Sequence, residues 1–126
     1  MGIKKHHEFM MEYTLVLIAA IKRPAFIFLG FMAATLMSFF SVIIHLIESP
    51  SNPNFESYLE SAYFTVSTMT SVGYGDITPQ THLGKITAMA MMLLGTFIFV
   101  SFTGVIASTV IEAELEAKQK NRKSES

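Results

Sequence analysis

Cysteine is absent from the 126 residues, so the chain holds no disulfide framework, no thiolate metal site and no cysteine nucleophile, and says nothing about redox compartment. Charge is scarce too, at 15% of residues with a formal net charge of -1. Nucleic acid is thereby excluded as a partner, because a phosphate-binding surface needs a concentrated excess of Lys and Arg. No run of arginines at every third position marks a voltage sensor, and no internal repeat is visible. No nucleophile, base and orienting group are spaced like a catalytic set, so an enzyme is not expected. The excess lies in apolar residues, 51% of the total, and water is not expected to be the only solvent.

Two long apolar runs account for that excess. Residues 25–47, AFIFLGFMAATLMSFFSVIIHLI, are apolar or weakly polar except for His45, and are long enough to cross the ~30 Å hydrocarbon core. Pro24 suits the start of a helix, where first-turn N–H groups lack partners anyway. The polar cluster Glu48, Ser49, Pro50, Ser51, Asn52 and Pro53 ends it. Residues 86–111 carry no ionisable side chain and form the second span, with length to spare for tilt. Two spans put both termini on one side. Lys4, Lys5, Lys22 and Arg23 precede the first span and Lys118, Lys120, Arg122 and Lys123 follow the second, whereas the connection holds only Lys85, so both ends are expected in the cytoplasm. Glu48, Glu56, Glu60 and Asp76 are expected to make the opposite face acidic and to gather cations there. The apolar stretch Thr14 to Ile21 is short, ends at Lys22 and Arg23 and lacks a small-residue cleavage site; it reads as an interfacial helix rather than a signal peptide.

The connection, NFESYLESAYFTVSTMTSVGYGDITPQTHLGK, is too apolar for an exterior loop and too short in its apolar part for another crossing. It is expected to dip into the membrane and return, as a helix over Phe55 to Met69 capped by Asn54, then extended backbone from Ser71 to Asp76. Non-helical backbone at membrane depth is tolerated only when buried in protein or lining a water-filled path. A pore is already implied.

Thr70, Ser71, Val72, Gly73, Tyr74, Gly75 and Asp76 closely resemble the selectivity-filter signature of potassium channels. The order of apolar helix, polar turret, pore helix, filter, Pro79 turn and second helix resembles prokaryotic two-transmembrane potassium channels over about residues 14 to 111. The resemblance implies an all-α membrane protein, with two transmembrane helices, a re-entrant pore helix and an extended filter, four subunits surrounding one pore. It implies that the carbonyls of Ser71, Val72, Gly73 and Tyr74 and the Ser71 hydroxyl coordinate K+ ions, the permeant cargo. Stacked carbonyl rings replace the hydration shell of a cation, and Gly73 and Gly75 reach left-handed dihedrals without a Cβ penalty. The family usually has threonine at position 71. Serine keeps the hydroxyl and loses the methyl, so the innermost site is expected to be less rigid while selectivity survives. Relatives that conduct sodium commonly have an acidic residue in place of Tyr74, and its presence here favours selectivity.

Thr70, Gly75, Asp76, Tyr63, Phe64 and Ser67 are expected to support the filter. Tyr63 and Phe64 match two aromatic residues packed behind it in the family, and Tyr63 could reach a polar filter-side partner. Ser67 falls where some relatives have a glutamate, so no carboxylate pair with Asp76 is expected. Thr96, Phe99, Thr103 and Ala107 recur at helical spacing, and the resemblance puts their face on the pore. Gly95 matches the family's inner-helix hinge, although close helix packing explains a membrane glycine equally well; Gly104 is a weaker candidate for flexure.

The remaining candidates read blandly. His6 and His7 are a solvated pair near a terminus, His82 is outer-mouth surface, and the nine methionines are membrane filler. His45 and Glu48, three apart on one helical face, suit an interface contact better than a metal site. The expected organisation is an N-terminal interfacial helix over 1–23, an outer helix over 24–48, turret, pore helix and filter over 49–85, an inner helix over 86–111 and a fraying cytoplasmic tail over 112–126. The expected function is passive potassium conduction by a homotetramer in the inner membrane. The alternatives are a weakly selective sodium and potassium channel, a non-conducting membrane scaffold, and a pore module of a longer channel whose regulatory domain lies outside this chain.

Overall fold

The computed structural model describes the backbone of residues 2–124 and the side chains of residues 11, 13–120, 122 and 123. His6 and His7 therefore lie outside the described side chains. Every regular element among the described residues is helical: α1 (Gly2–Ile21), α2 (Pro24–Glu48), a 3-10 turn (Pro53–Phe55), α3 (Tyr58–Met69) and α4 (His82–Ser124). Only α2 and α4 are long and apolar enough, among the described residues, to cross a membrane. At 1.5 Å per residue, the 25 residues of α2 reach roughly 37 Å, a little more than a hydrocarbon core, while the 43 residues of α4 reach about 64 Å.

α4 is thus longer at both ends than its apolar run. At its start, the Thr81 hydroxyl accepts from the Gly84 N–H at 2.9 Å, a side-chain cap that lets the helix begin at His82. At its far end the helix continues to Ser124. The sequence of that extension explains its persistence. Glu114 with Lys118 and Glu116 with Lys120 stand at i and i+4 in the favourable order, Arg122 and Lys123 oppose the negative end of the dipole, and no glycine or proline interrupts.

The chain divides into two units. One comprises the residues up to Phe28 with those from Ser101 on. Within it Phe26 meets Phe102 edge-on at 4.8 Å between centroids, and the Arg23 guanidinium pairs with the Glu112 carboxylate, which raises the pKa of Arg23 chiefly through that hydrogen bond.

The other unit, Leu29–Val100, carries the candidate site. Its buried side chains include Ile44 from α2, Phe55 from the 3-10 turn, Phe64 and Met69 from α3, and Ala88 and Met91 from α4. Phe55 and Phe64 pack edge-on at 5.3 Å. The short α3 starts later than expected. Asn52, not Asn54, opens the region by accepting from the Asn54 N–H at 3.1 Å over the 3-10 turn, and Ser57 caps α3. The Ser57 hydroxyl accepts from the Leu59 N–H and the Glu60 carboxylate accepts from the Ser57 N–H, each at 3.1 Å. Ser57-x-x-Glu60 is a capping box, in which the two residues satisfy first-turn donors reciprocally.

Large apolar side chains remain exposed along both long helices, among them Phe28, Phe31, Phe39, Leu93, Phe97 and Phe99. Such a surface needs lipid or further protein against it.

Candidate functional site

α3 ends abruptly. Thr70 leaves helical geometry at φ -84°, ψ 0°, its N–H and hydroxyl both donating back to the Val66 carbonyl at 2.9 and 2.7 Å. The chain then doubles back along its own helix. The Gly73 N–H donates to the Ser67 carbonyl at 3.0 Å, and the Tyr74 N–H donates to the Ser67 hydroxyl at 3.4 Å. Ser67 thereby ties residues 73 and 74 back to α3 through both its backbone and its side chain. Three residues in alternation have positive φ: Ser71 at 62°, Gly73 at 56° and Gly75 at 77°. The glycines adopt this region without a Cβ penalty, but a serine there bears a cost of about 1–2 kcal/mol. A β-branched side chain fits that region less well still. Serine at position 71 therefore burdens the backbone less than a β-branched residue would, just where the segment leaves the helix.

Tyr63 links helix and segment a second time. Its hydroxyl donates to Asp76 Oδ2 at 2.9 Å, and its ring stacks on that of Tyr74 with 8° between planes and 6.4 Å between centroids. Phe64, on the next position, turns into the core instead. Residues 70–76 are themselves exposed within the single chain, Tyr74 at 73%. The segment is thus tied to α3 on one side and bare on the other.

A second cluster holds the chain after the segment, and sequence reasoning missed it. Glu48 was expected on an acidic outer face; it is fully buried. Its Oε2 accepts from Asn52 Nδ2 at 2.8 Å and the Gln80 N–H at 2.9 Å, and its Oε1 accepts from the Thr81 N–H at 3.1 Å and from the Thr81 hydroxyl. Asn52 also donates to the Thr78 carbonyl at 3.1 Å. A carboxylate with every lone-pair direction used withstands burial, and this one lies at the N-terminus of α4, where the helix dipole favours an anion. Gly84 is the space it occupies: a Cβ there would lie 2.8 Å from Glu48 Cδ and 2.9 Å from Thr81 Oγ1. The signal available beforehand was slight, a lone glutamate at a helix end followed at i+4 by asparagine.

On α4, Thr96, Phe99, Thr103 and Ala107 are all exposed in the single chain, and the Thr96 hydroxyl donates to the Met92 carbonyl at 2.8 Å. Gly95 is different. It is buried, and a Cβ on it would lie 2.6 Å from Met69 Cα and 2.8 Å from Met69 C, so α4 touches the backbone at the end of α3 there. Close packing is what the geometry displays at Gly95, whereas Gly104 has open space around it. His82 is exposed at the start of α4, as expected of a surface residue. Among the described residues, no three His, Asp or Glu side chains converge as a metal site.

The profile of a family described as ion channels matches residues 27–112. Potassium voltage-gated channel subfamily KQT member 4 from Homo sapiens is 36% identical over 81 residues, 64% of this chain and 11% of that protein. The hyperpolarization-activated voltage-gated potassium channel of Methanocaldococcus jannaschii is 38% identical over 68 residues, 54% of this chain and 30% of that protein. The calcium-gated potassium channel TvoK of Thermoplasma volcanium is 32% identical over 68 residues, 54% of this chain and 20% of that protein. The matched region is thus a minor part of the length of each of these relatives.

Proposed function

This chain belongs to the ion-channel family, and on that premise we propose that it is one quarter of a homotetrameric, potassium-selective pore. The observation that carries the reading is the segment Thr70 to Asp76, with positive φ at every second residue and tied to a short helix on one side only. In an ordinary strand successive carbonyls point to opposite sides; alternating left- and right-handed dihedrals turn them to one side. Four copies then form rings of oxygens from Ser71, Val72, Gly73 and Tyr74, with the Ser71 hydroxyl as the innermost ligand. Such rings replace the hydration shell of K+ and pass ions by knock-on between adjacent sites.

The other parts follow from this arrangement. α3 is the re-entrant pore helix, and its C-terminal end at Met69 turns the negative end of its dipole toward the water-filled cavity, where a cation crosses. Tyr63, Phe64, Ser67, Thr70, Gly75 and Asp76 are the filter's support, and Ser67 serves where some relatives use a carboxylate. Thr96, Phe99, Thr103 and Ala107 line the inner pore, with Gly95 setting how closely α4 meets the pore helix. Both termini are cytoplasmic, α1 lies along the inner surface of the membrane, and the filter faces outward. With Glu48 consumed internally, Glu56, Glu60 and Asp76 remain to draw cations to the mouth.

The test is the reversal potential of the purified protein in a planar bilayer with potassium on one side and sodium on the other. A value near the potassium equilibrium potential, with block by barium, is expected. A value near zero would favour a weakly selective filter loosened at Ser71, and silence from verified tetramers would favour a non-conducting scaffold.

A further inference from the structure

The backbones of α3 and α4 touch at residues 69 and 95, where a Cβ on Gly95 would lie 2.6 Å from Met69 Cα and 2.8 Å from Met69 C. The next residue along each chain is a threonine, Thr70 and Thr96, and both are exposed in the single chain. Their hydroxyl hydrogens are already committed. Thr70 donates to the Val66 carbonyl at 2.7 Å and Thr96 to the Met92 carbonyl at 2.8 Å. A carbonyl can only accept, so the direction of both bonds is fixed, and what each hydroxyl turns outward is lone pairs alone. We propose that Thr96 is an ion-positioning residue: with Thr70 it lays an acceptor-only surface just inside the filter, which holds the water shell of a potassium ion arriving from the inner side. The proposal rests on the pore reading, which puts this level on the axis and repeats the pair in each subunit.

The hydrogen-bond polarity gives the sign. Water around a cation turns its oxygens inward and its hydrogens outward, so the next layer has to accept. Water around an anion presents the opposite face. A hydroxyl free to rotate serves either, whereas one whose hydrogen is spent on its own helix serves the cation only. Bonds made through such water are nearly as good as direct ones, and they hold the ion at the step before the Ser71 ring strips its shell. The bond back to the carbonyl four residues earlier does not mark Thr96 by itself, since Thr35, Ser38 and Thr87 make it too. What sets Thr96 apart from these three is its place directly after the residue packed on Met69, at the end of α3 where the chain turns into the filter segment.

The experiment is single-channel recording of the full chain in planar bilayers, with outward unitary current measured against the inner K+ concentration. Thr96→Val keeps the shape of the side chain and removes the oxygen. It is expected to raise the half-saturating inner K+ concentration by roughly two- to tenfold, the range set by one hydrogen bond, with the reversal potential and the saturating current kept. Thr96→Ser restores the oxygen without the methyl and is expected to return the value to within about twofold of the wild type. Thr87→Val, which loses the same bond at the other end of the span, is expected to change nothing. An unaltered half-saturating concentration in Thr96→Val would overturn the proposal while the pore reading stands, as would an equal rise in Thr96→Ser, which points to packing rather than to the oxygen. If verified tetramers pass no current, the pore reading fails separately, and titration of the protein in lipid nanodiscs with K+ against choline, followed by the NMR shift of the Thr96 methyl, still decides the inference. A shift that saturates with K+ and is absent with choline is expected; no K+-dependent shift would overturn it.

Discussion

Replacing Glu48 by glutamine keeps the shape of the side chain and removes one acceptor. The carboxylate takes two donors on each oxygen, Asn52 Nδ2 and the Gln80 N–H on one and the Thr81 N–H and hydroxyl on the other. A glutamine retains two of these at its carbonyl and turns an NH2 group toward the other two. In the better orientation the NH2 faces Thr81, whose hydroxyl can rotate to accept, but the Thr81 N–H is left buried without an acceptor. That orphan costs about 1–3 kcal/mol, and the two surviving bonds lose their charge assistance at about 0.5–1 kcal/mol each. The sum is roughly 2–5 kcal/mol, or about 30- to 5,000-fold in the equilibrium for local opening. Amide hydrogen exchange in lipid nanodiscs reads this directly, because the Gln80 and Thr81 N–H groups are protected by the carboxylate itself. Glu48→Gln should speed their exchange by about that factor. A change below about threefold would mean that the carboxylate does not carry these bonds, and the argument from its burial would fall.

Other substitutions test separate contacts. Gly95→Ala drives a methyl into the Met69 backbone; overpacking of about 3 kcal/mol less about 1 kcal/mol of helix propensity leaves a net loss of about 2 kcal/mol, read as lower thermal stability of the protein. Gly104→Ala, with open space around it, should instead be neutral or stabilising by up to about 1 kcal/mol in the same assay. Ser71→Thr restricts χ1 and should tighten barium block by roughly two- to fivefold with the reversal potential unchanged. Tyr63→Phe keeps the ring stack on Tyr74 and removes the donor to Asp76; during sustained opening the current should decline faster than in the wild type. Deleting residues 112–126 removes the partner of Arg23 and most of the charged extension, and an unchanged open probability would exclude a gating role for that extension.

The spans were legible because membrane crossing depends on length and apolarity alone, and both are properties of a run of residues. α2 occupies the stretch from Pro24 to Glu48 that its proline and its polar cluster mark out. The caps were half-legible. Ser57 and Glu60 stand in plain capping-box spacing, yet the eye is drawn to Asn54, which precedes the apolar run. The length of α4 was less legible, since an isolated charged extension frays by default and its ladder of Glu and Lys pairs has to be counted before it persuades. Glu48 was misread because a glutamate near a helix end is usually a surface charge; only the return of Gln80 and Thr81 makes it an internal cap.

What the sequence by itself determined is chemistry that depends on residue type at short range: two apolar spans, a polar turn between them, and a segment whose two glycines allow left-handed backbone. What only the tertiary structure decided is which polar groups meet across long separations. Ser67 holding Tyr74, Tyr63 holding Asp76, His45 meeting Ser61, and Glu48 closing on residues more than thirty positions away are pairings between groups with many alternative partners. A hydrogen bond of that kind is selected by where the helices pack, and the packing is a sum over the whole core rather than a property of any window of residues.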